Sequence, residues 1–424
     1  MMAAIYGLVF VCLALSAFFL LAGRAQSFAE ANARLHSRPV YHGLYMASLV
    51  LISGLAVFIL GWPLTAWMAE TRALAALPAD AARTYASSLI LGRWLVLLLG
   101  AMVAGALSLI LLRRIAPEFR ARAYFERVVG YVLFASAAIA VFTTMGIVFS
   151  VVFETWRFFQ LVSPIEFLFG LEWNPQAALR ADQGDFGGAF GIVPLVTGTL
   201  LITLIAMCVA GPIGLTSAIY MAEYATPRTR AVVKPMLEIL AGIPTVVLGF
   251  FAALTVAPFI RNLGASVGLS VASESALAAG LVMGMMIIPF VSSLSDDVMN
   301  AVPQSLRDGS YALGSTKSET IKNVVLPAAL PGIVSAFMLA ISRAIGETMI
   351  VLMAAGLAAN LTFNPLSAVT TFTVQIKTIL VGDQEFDSAK TLSAFALGFV
   401  LFFLTLMLNI IALKVVKRYR ERYD

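Results

Sequence analysis

Arg343 and Glu347 stand four residues apart in "SRAIGETMIVLMAAG", residues 342–356, a segment otherwise without charge. On a helix that spacing puts both side chains on one face, close enough to pair. A charge at mid-bilayer costs roughly 2.5–3.5 kcal/mol on insertion scales, and mutual pairing offsets part of that cost. Two readings of the pair follow. It is either a salt bridge that fixes helix packing, or an anion site in which Arg343 offers a planar fork of donors to an oxyanion. In the second, Glu347 keeps the arginine charged and oriented and weakens its hold, so that the anion can leave. Counting from Pro327, Arg343 lies 16 residues along, about 24 Å at 1.5 Å per residue, in the middle to outer half of a membrane. Pro331 and Gly346 are expected to loosen this helix, although close packing through a small residue accounts for Gly346 equally well.

The elements that must position such a pair are membrane helices. Of 424 residues 60% are hydrophobic and 12% charged, and the mean hydropathy is +0.93, which excludes a soluble globular domain. Apolar runs near the length that crosses a hydrocarbon core about 30 Å thick recur nine times. They cover about 3–22, 43–63, 89–112, 128–153, 193–221, 236–258, 276–294, 327–355 and 391–413. Period-2 alternation is absent, so the fold class is an all-α polytopic bundle rather than a barrel. The first run is taken as a helix and not a cleaved signal peptide, because "MMAAIYG" carries no side-chain charge.

With nine spans the termini face opposite sides. Placing the C-terminus inside puts 19 of the 28 Lys and Arg on the cytoplasmic face, among them Arg113, Arg114, Arg120, Arg122, Arg127 and the tail set Lys414–Arg422, against eight outside. That asymmetry predicts an outside N-terminus and an inside C-terminus. The net charge of +5 is explained by anionic lipid and requires no nucleic acid. No metal or cofactor is expected on the chain. Cys12 and Cys208 lie in separate apolar runs as small buried hydrophobes, and His36 and His42 flank the second span in an interfacial or loop role.

The basic stretch "RRIAPEFRARAYFERV", residues 113–128, separates three helices from six, which divides the chain into 1–125 and 126–424. Two outer loops, 154–192 and 356–390, are long enough to contact partners, or simply tolerate insertion. Inside, the loop 295–326 is neither apolar nor disordered in composition. From Pro303 a short helix is predicted, with Leu306, Tyr311 and Leu313 as apolar contacts and Gly314 ending it; a second follows, with Ser315 or Thr316 as N-cap and Glu319 completing a capping box. Such a hairpin either docks on a cytoplasmic partner or packs on its own bundle.

The stretch "DGSYALGSTKSETIKNVVLP" has the spacing of the EAA loop of ABC importer permeases. Asp308, Gly309 and Ser310 stand in place of Glu-Ala-Ala, and Gly314, Val324, Leu326 and Pro327 keep the register. With "GIVPLVTGTLLITLIAMCVAGPIGLTSAIYMAEYA", "KPMLEILAGIPTVVLGFFA", "SRAIGETM" and "SPIEFLFGLEWNP", residues 126–424 resemble the PstC family of phosphate permeases, which have the MetI-like fold. The resemblance implies a six-helix permease core preceded by a three-helix extension. It also implies a transport subunit rather than an enzyme. Its partners would be a second permease resembling PstA, an ATPase dimer resembling PstB that binds ATP and Mg, and an extracytoplasmic phosphate-binding protein resembling PstS. The loop about 295–327 would couple to the ATPase through Leu306, Asp308, Tyr311, Ala312, Gly314 and Pro327, while Arg343 and Glu347 would line the substrate path. Consistent with a separate energy source, the chain has no G-x4-G-K-[ST] phosphate loop.

Three weaker candidates stand apart from the pair. Glu238 is expected near a helix start, in a favourable dipole interaction. Asp296 and Asp297 are expected to be solvated at the inner boundary. Gly198, Thr199 and Thr203 either line a path or pack. Another oxyanion, such as molybdate, tungstate or sulfate, remains an alternative cargo. An ion-coupled carrier or a membrane enzyme would need clustered intramembrane acids, His or Cys, which the spans lack.

Overall fold

A computed structural model describes residues 2–30, 35–74, 81–114, 116–175, 189–381 and 387–420. Arg34, Arg180 and the last residues of the tail lie outside them. The chain packs as two units, Met1–Met145 and Gly146–Asp424. They divide inside a long helix that also contains the expected boundary near 125.

In the first unit, α1 (Met2–Glu30), α2 (Pro39–Leu74) and α3 (Ala81–Arg114) form a three-helix cluster. Tyr6, Phe10, Met46, Val50 and Val96 fill its centre, and the Tyr6 hydroxyl donates to Gly54 O at 2.8 Å. His42, expected in an interfacial or loop role, is buried in the first turn of α2 against the ring of Phe119. α4 (Ala121–Leu161) follows, with the rings of Tyr131, Phe134, Phe142 and Phe149 exposed along it.

The second unit continues through α5 (Pro164–Phe169) and the two-residue strands β1 (Trp173–Asn174) and β2 (Ala189–Phe190), which pair antiparallel with Trp173 opposite Phe190. Then come α6 (Val193–Ile219), α7 (Pro227–Ala241), α8 (Thr245–Phe251), α9 (Ala257–Ser266), α10 (Ala276–Asn300), α11 (Gln304–Ala312) and α12 (Lys317–Thr320). α13 (Leu326–Ile345), α14 (Met349–Ala354), α15 (Phe372–Leu380) and α16 (Ala389–Arg420) complete it. π-helical turns at Tyr220–Tyr224, Ala252–Val256 and Ile321–Val325 join α6 to its end, α8 to α9 and α12 to α13.

Nine helical segments among the described residues are long and apolar enough to span a membrane, in agreement with the nine runs. The sixth and eighth shift. The sixth begins at Thr245, because 227–241 folds as the separate helix α7, and the eighth runs Lys317–Ile345 and stops short of 355.

The core sits on the α6–α10 pair, whose buried face includes Ile202, Ala206, Ala210, Val282, Met283, Ile287 and Val291. Gly280 and Gly284 make their approach close: a Cβ at either would press on Ile205 or Val209 of α6. With no water to expel between spans, such small-residue packing holds membrane helices together. The described residues of the two long loops, 154–192 and 356–390, pack on one another and on α15 and α16. Phe158, Phe167, Trp173, Phe190, Phe372 and Leu392 form one cluster, and Trp173 Nε1 donates to Gln375 Oε1 at 3.0 Å.

Candidate transport site and coupling hairpin

The hairpin at 303–320 has the form its sequence predicts. α11 begins after Pro303, and Gly314, at φ +84°, takes the left-handed conformation that only glycine adopts without strain. Thr316 caps α12: its hydroxyl accepts from Glu319 N at 3.4 Å and Glu319 Oε2 accepts from Thr316 N at 2.8 Å. Leu306, Tyr311 and Leu313 are 47%, 40% and 89% exposed, so the apolar face of α11 points away from the chain's own bundle. Asp308 and Ala312 are exposed as well, and Pro327 sits in the first turn of α13.

Arg343 and Glu347 are not a helical pair. α13 ends at Ile345, with Gly346 as its C-cap, and α14 begins at Met349, so Glu347 lies in the break between two helices. Its Oε1 accepts from Met349 N at 3.1 Å and Ile350 N at 3.4 Å, satisfying amides that open α14. Its backbone carbonyl accepts from the Thr373 hydroxyl at 2.8 Å. Glu347 is 9% exposed, whereas Arg343, in the last turn of α13, is exposed and has no ion pair among the described residues. The continuous helix from the hairpin thus carries Arg343 and stops before Glu347. Pro331 does not interrupt it.

Other expectations are revised. Asp296 is fully buried and not solvated: Arg230 Nη2 donates to it at 2.8 Å, Lys234 Nζ at 3.2 Å, and Asn300 Nδ2 at 2.9 Å. Asp297 stays exposed and holds Lys234 Nζ at 2.7 Å. The Lys234 ammonium is raised above its ordinary value, first by the hydrogen bond to Asp297, with burial opposing. The contribution of Lys234 to this clamp is therefore fully present below about pH 10.5, the ordinary lysine range, and is lost only as pH rises through the raised value. Glu238 is exposed in the last turn of α7, not near a helix start. Gly198 lies under Thr370, Thr199 donates to Leu195 O and accepts from Phe372 N, and Thr203 is buried, so these three pack. Cys12 and Cys208 are exposed on their helices, since spans facing lipid do not need to bury apolar side chains within the chain. Sequence reasoning passed over Arg307 and Glu223, a buried ion pair at 2.9 Å; the one signal was an arginine on the inward face of a short amphipathic helix.

Residues 212–421 match the family described as the binding-protein-dependent transport system inner membrane component, and residues 8–94 match a family described as phosphate ATP-binding cassette transporter. The probable ABC transporter permease protein YqgH of Bacillus subtilis (strain 168) is 37% identical over 57% of this chain and 74% of its own. The phosphate transport system permease protein PstC 1 of Mycobacterium tuberculosis (strain ATCC 25618 / H37Rv) is 33% identical over 60% of this chain and 82% of its own. This chain belongs to the PstC-type family of ABC importer permeases. It is accordingly a multi-pass inner membrane protein, and the family is one of permease subunits. A solved bacterial ABC transporter involved in import of the acidic polysaccharide alginate is 14% identical, with a TM-score of 0.48, over 70% of this chain and 99% of that one.

Proposed function

We propose that the chain is the phosphate-conducting permease subunit of an ABC importer, with α11 and α12 as the hairpin that docks on a separate ATPase. The observation that carries this is Arg343: a guanidinium free of any counter-charge among the described residues, at the end of the one helix that rises from the hairpin. In an apolar span an exposed, unpaired arginine is costly unless it faces a polar path or a partner. Its planar fork suits a tetrahedral oxyanion better than an ammonium does. Glu347 contributes differently from the expectation: it fixes the backbone just beyond Arg343 and leaves the arginine's donors open.

The proposed assembly adds a second permease resembling PstA, an ATPase dimer resembling PstB, which would bind ATP and Mg, and an outer phosphate-binding protein resembling PstS. In this reading the N-terminus is outside and the C-terminus cytoplasmic, residues 126–424 form the permease, and 1–125 are a membrane extension. ATP-driven closure of the ATPase dimer would move α11, and the span from Lys317 would carry that movement to Arg343 as a rigid body.

Phosphate uptake into proteoliposomes holding the whole complex tests the reading. Arg343→Gln is expected to abolish uptake while the complex assembles and still hydrolyses ATP; uptake at the wild-type rate would remove Arg343 from the path. Competition by sulfate and molybdate reports the cargo, phosphate being expected to compete at least tenfold better than either.

A further inference from the structure

The span from Lys317 links the hairpin to Arg343, but the buried face of α11 makes a second link. Arg307 is 8% exposed. Its Nη2 and Nε donate to Glu223 Oε1 at 2.9 and 3.2 Å, its Nη2 also to Met299 O at 2.8 Å, and its Nη1 to Val302 O at 2.6 Å. Glu223, whose side chain is 6% exposed, lies in the π-helical turn that extends α6, and Met299 and Val302 close α10. One guanidinium therefore ties α11 to the ends of the two helices that form the core. Three residues along α11, the hydroxyls of Ser310 and Thr320 share a buried hydrogen bond at 2.9 Å, fixing α11 to α12 as well.

The far end of α6 leads to the transport site. Thr199 accepts from Phe372 N at 3.4 Å, Gly198 lies against Thr370 O, and the neighbouring Thr373 hydroxyl holds the carbonyl of Glu347. Two connections thus run from the hairpin and meet at the break between α13 and α14. One goes through α12 and α13 to Arg343. The other goes through Arg307, Glu223, α6 and residues 370–373 to Glu347.

We propose that Arg307 is a positioning residue that couples α11 to α6 and α10, so that one displacement of the hairpin moves both sides of the helix break together. A break moved from one side only would separate Arg343 from Glu347 without reshaping the path around them. Charge-assisted bonds held away from water make the joint stiff, and a lysine, with one compact ammonium, cannot span Glu223, Met299 and Val302 at once. Such coupling is a free energy between two sites, measurable only by perturbing both members of the joint.

The inference rests on the importer reading, and the complete reconstituted complex separates the two. The readouts are ATP hydrolysis with and without phosphate-loaded binding protein, and phosphate delivered per ATP. Arg307→Lys and Glu223→Gln are each expected to retain the ATPase subunit on purification and keep unstimulated hydrolysis within twofold. Stimulation and phosphate per ATP should fall at least fivefold. The double variant should be no worse than the worse single one, as for residues acting through one joint. Wild-type stimulation in both single variants, or a double variant whose loss is the product of the two, overturns the proposal. Leu306→Asp, on the outer face, should instead release the ATPase subunit, which separates docking from transmission. If the wild-type complex imports no phosphate, the importer reading fails and not the Arg307 joint.

Discussion

Glu347 shows how one side chain's partner changes its meaning. As half of an ion pair, its charge would be the property that matters; as the acceptor for Met349 N and Ile350 N, its oxygen is. Glu347→Gln keeps an oxygen in that place and is expected to leave the complex as thermostable as wild type. Glu347→Ala strands two amides and is expected to cost about 1–2 kcal/mol, as loss of a helix cap does. Thermal denaturation of the solubilised complex distinguishes these, since an Arg343–Glu347 salt bridge would make the two variants equally harmful. Arg307, likewise, is surrounded by three acceptors from two segments, and its place on the inward face of a short amphipathic helix gave no sign of which they would be.

At the scale of elements, α7 is held without a buried apolar face. It buries no residue, and Val232, Met236 and Ile239 are 60%, 63% and 72% exposed. What holds it is polar: Arg230 and Lys234 reach across to Asp296 and Asp297 at the end of α10. Asp296→Ala removes the buried centre of that clamp, at about 1.5–3 kcal/mol for a lost hydrogen bond to a charged group. Faster amide exchange across 227–241, with exchange in α10 upstream of Asp296 unchanged, is the expected result. Uniform protection of α7 in the variant would mean that its apolar face, not the clamp, secures it. The α11–α12 hairpin contrasts with α7. Its Pro303 start, its Gly314 stop and its Thr316–Glu319 capping box were legible because each depends on residues within a few positions. α7 was not legible as a separate helix, since its apolar residues merge in the sequence with the span that begins at Thr245.

For the whole molecule, topology is the open expectation that a direct measurement decides. Phe363, in the outer loop, and Leu313, in the hairpin turn, are 77% and 89% exposed. In a background lacking Cys12 and Cys208, Phe363→Cys is expected to react with a membrane-impermeant maleimide in intact spheroplasts. Leu313→Cys should react only in inverted vesicles stripped of the ATPase. The reverse pattern would invert the chain in the membrane. By itself the sequence determined the class of solvent, the number of spans and the form of the hairpin, because hydrophobicity and turn chemistry act over short stretches of chain. Only the tertiary structure decided which charges meet. Asp296 finds Arg230 and Lys234 at separations of 66 and 62 residues, Arg307 finds Glu223 at 84, and Arg343 and Glu347, four apart, do not pair. A buried charge takes whichever partner the packing of distant helices brings within about 3 Å. Helical spacing offers only the near candidates, and here the helix ended between them.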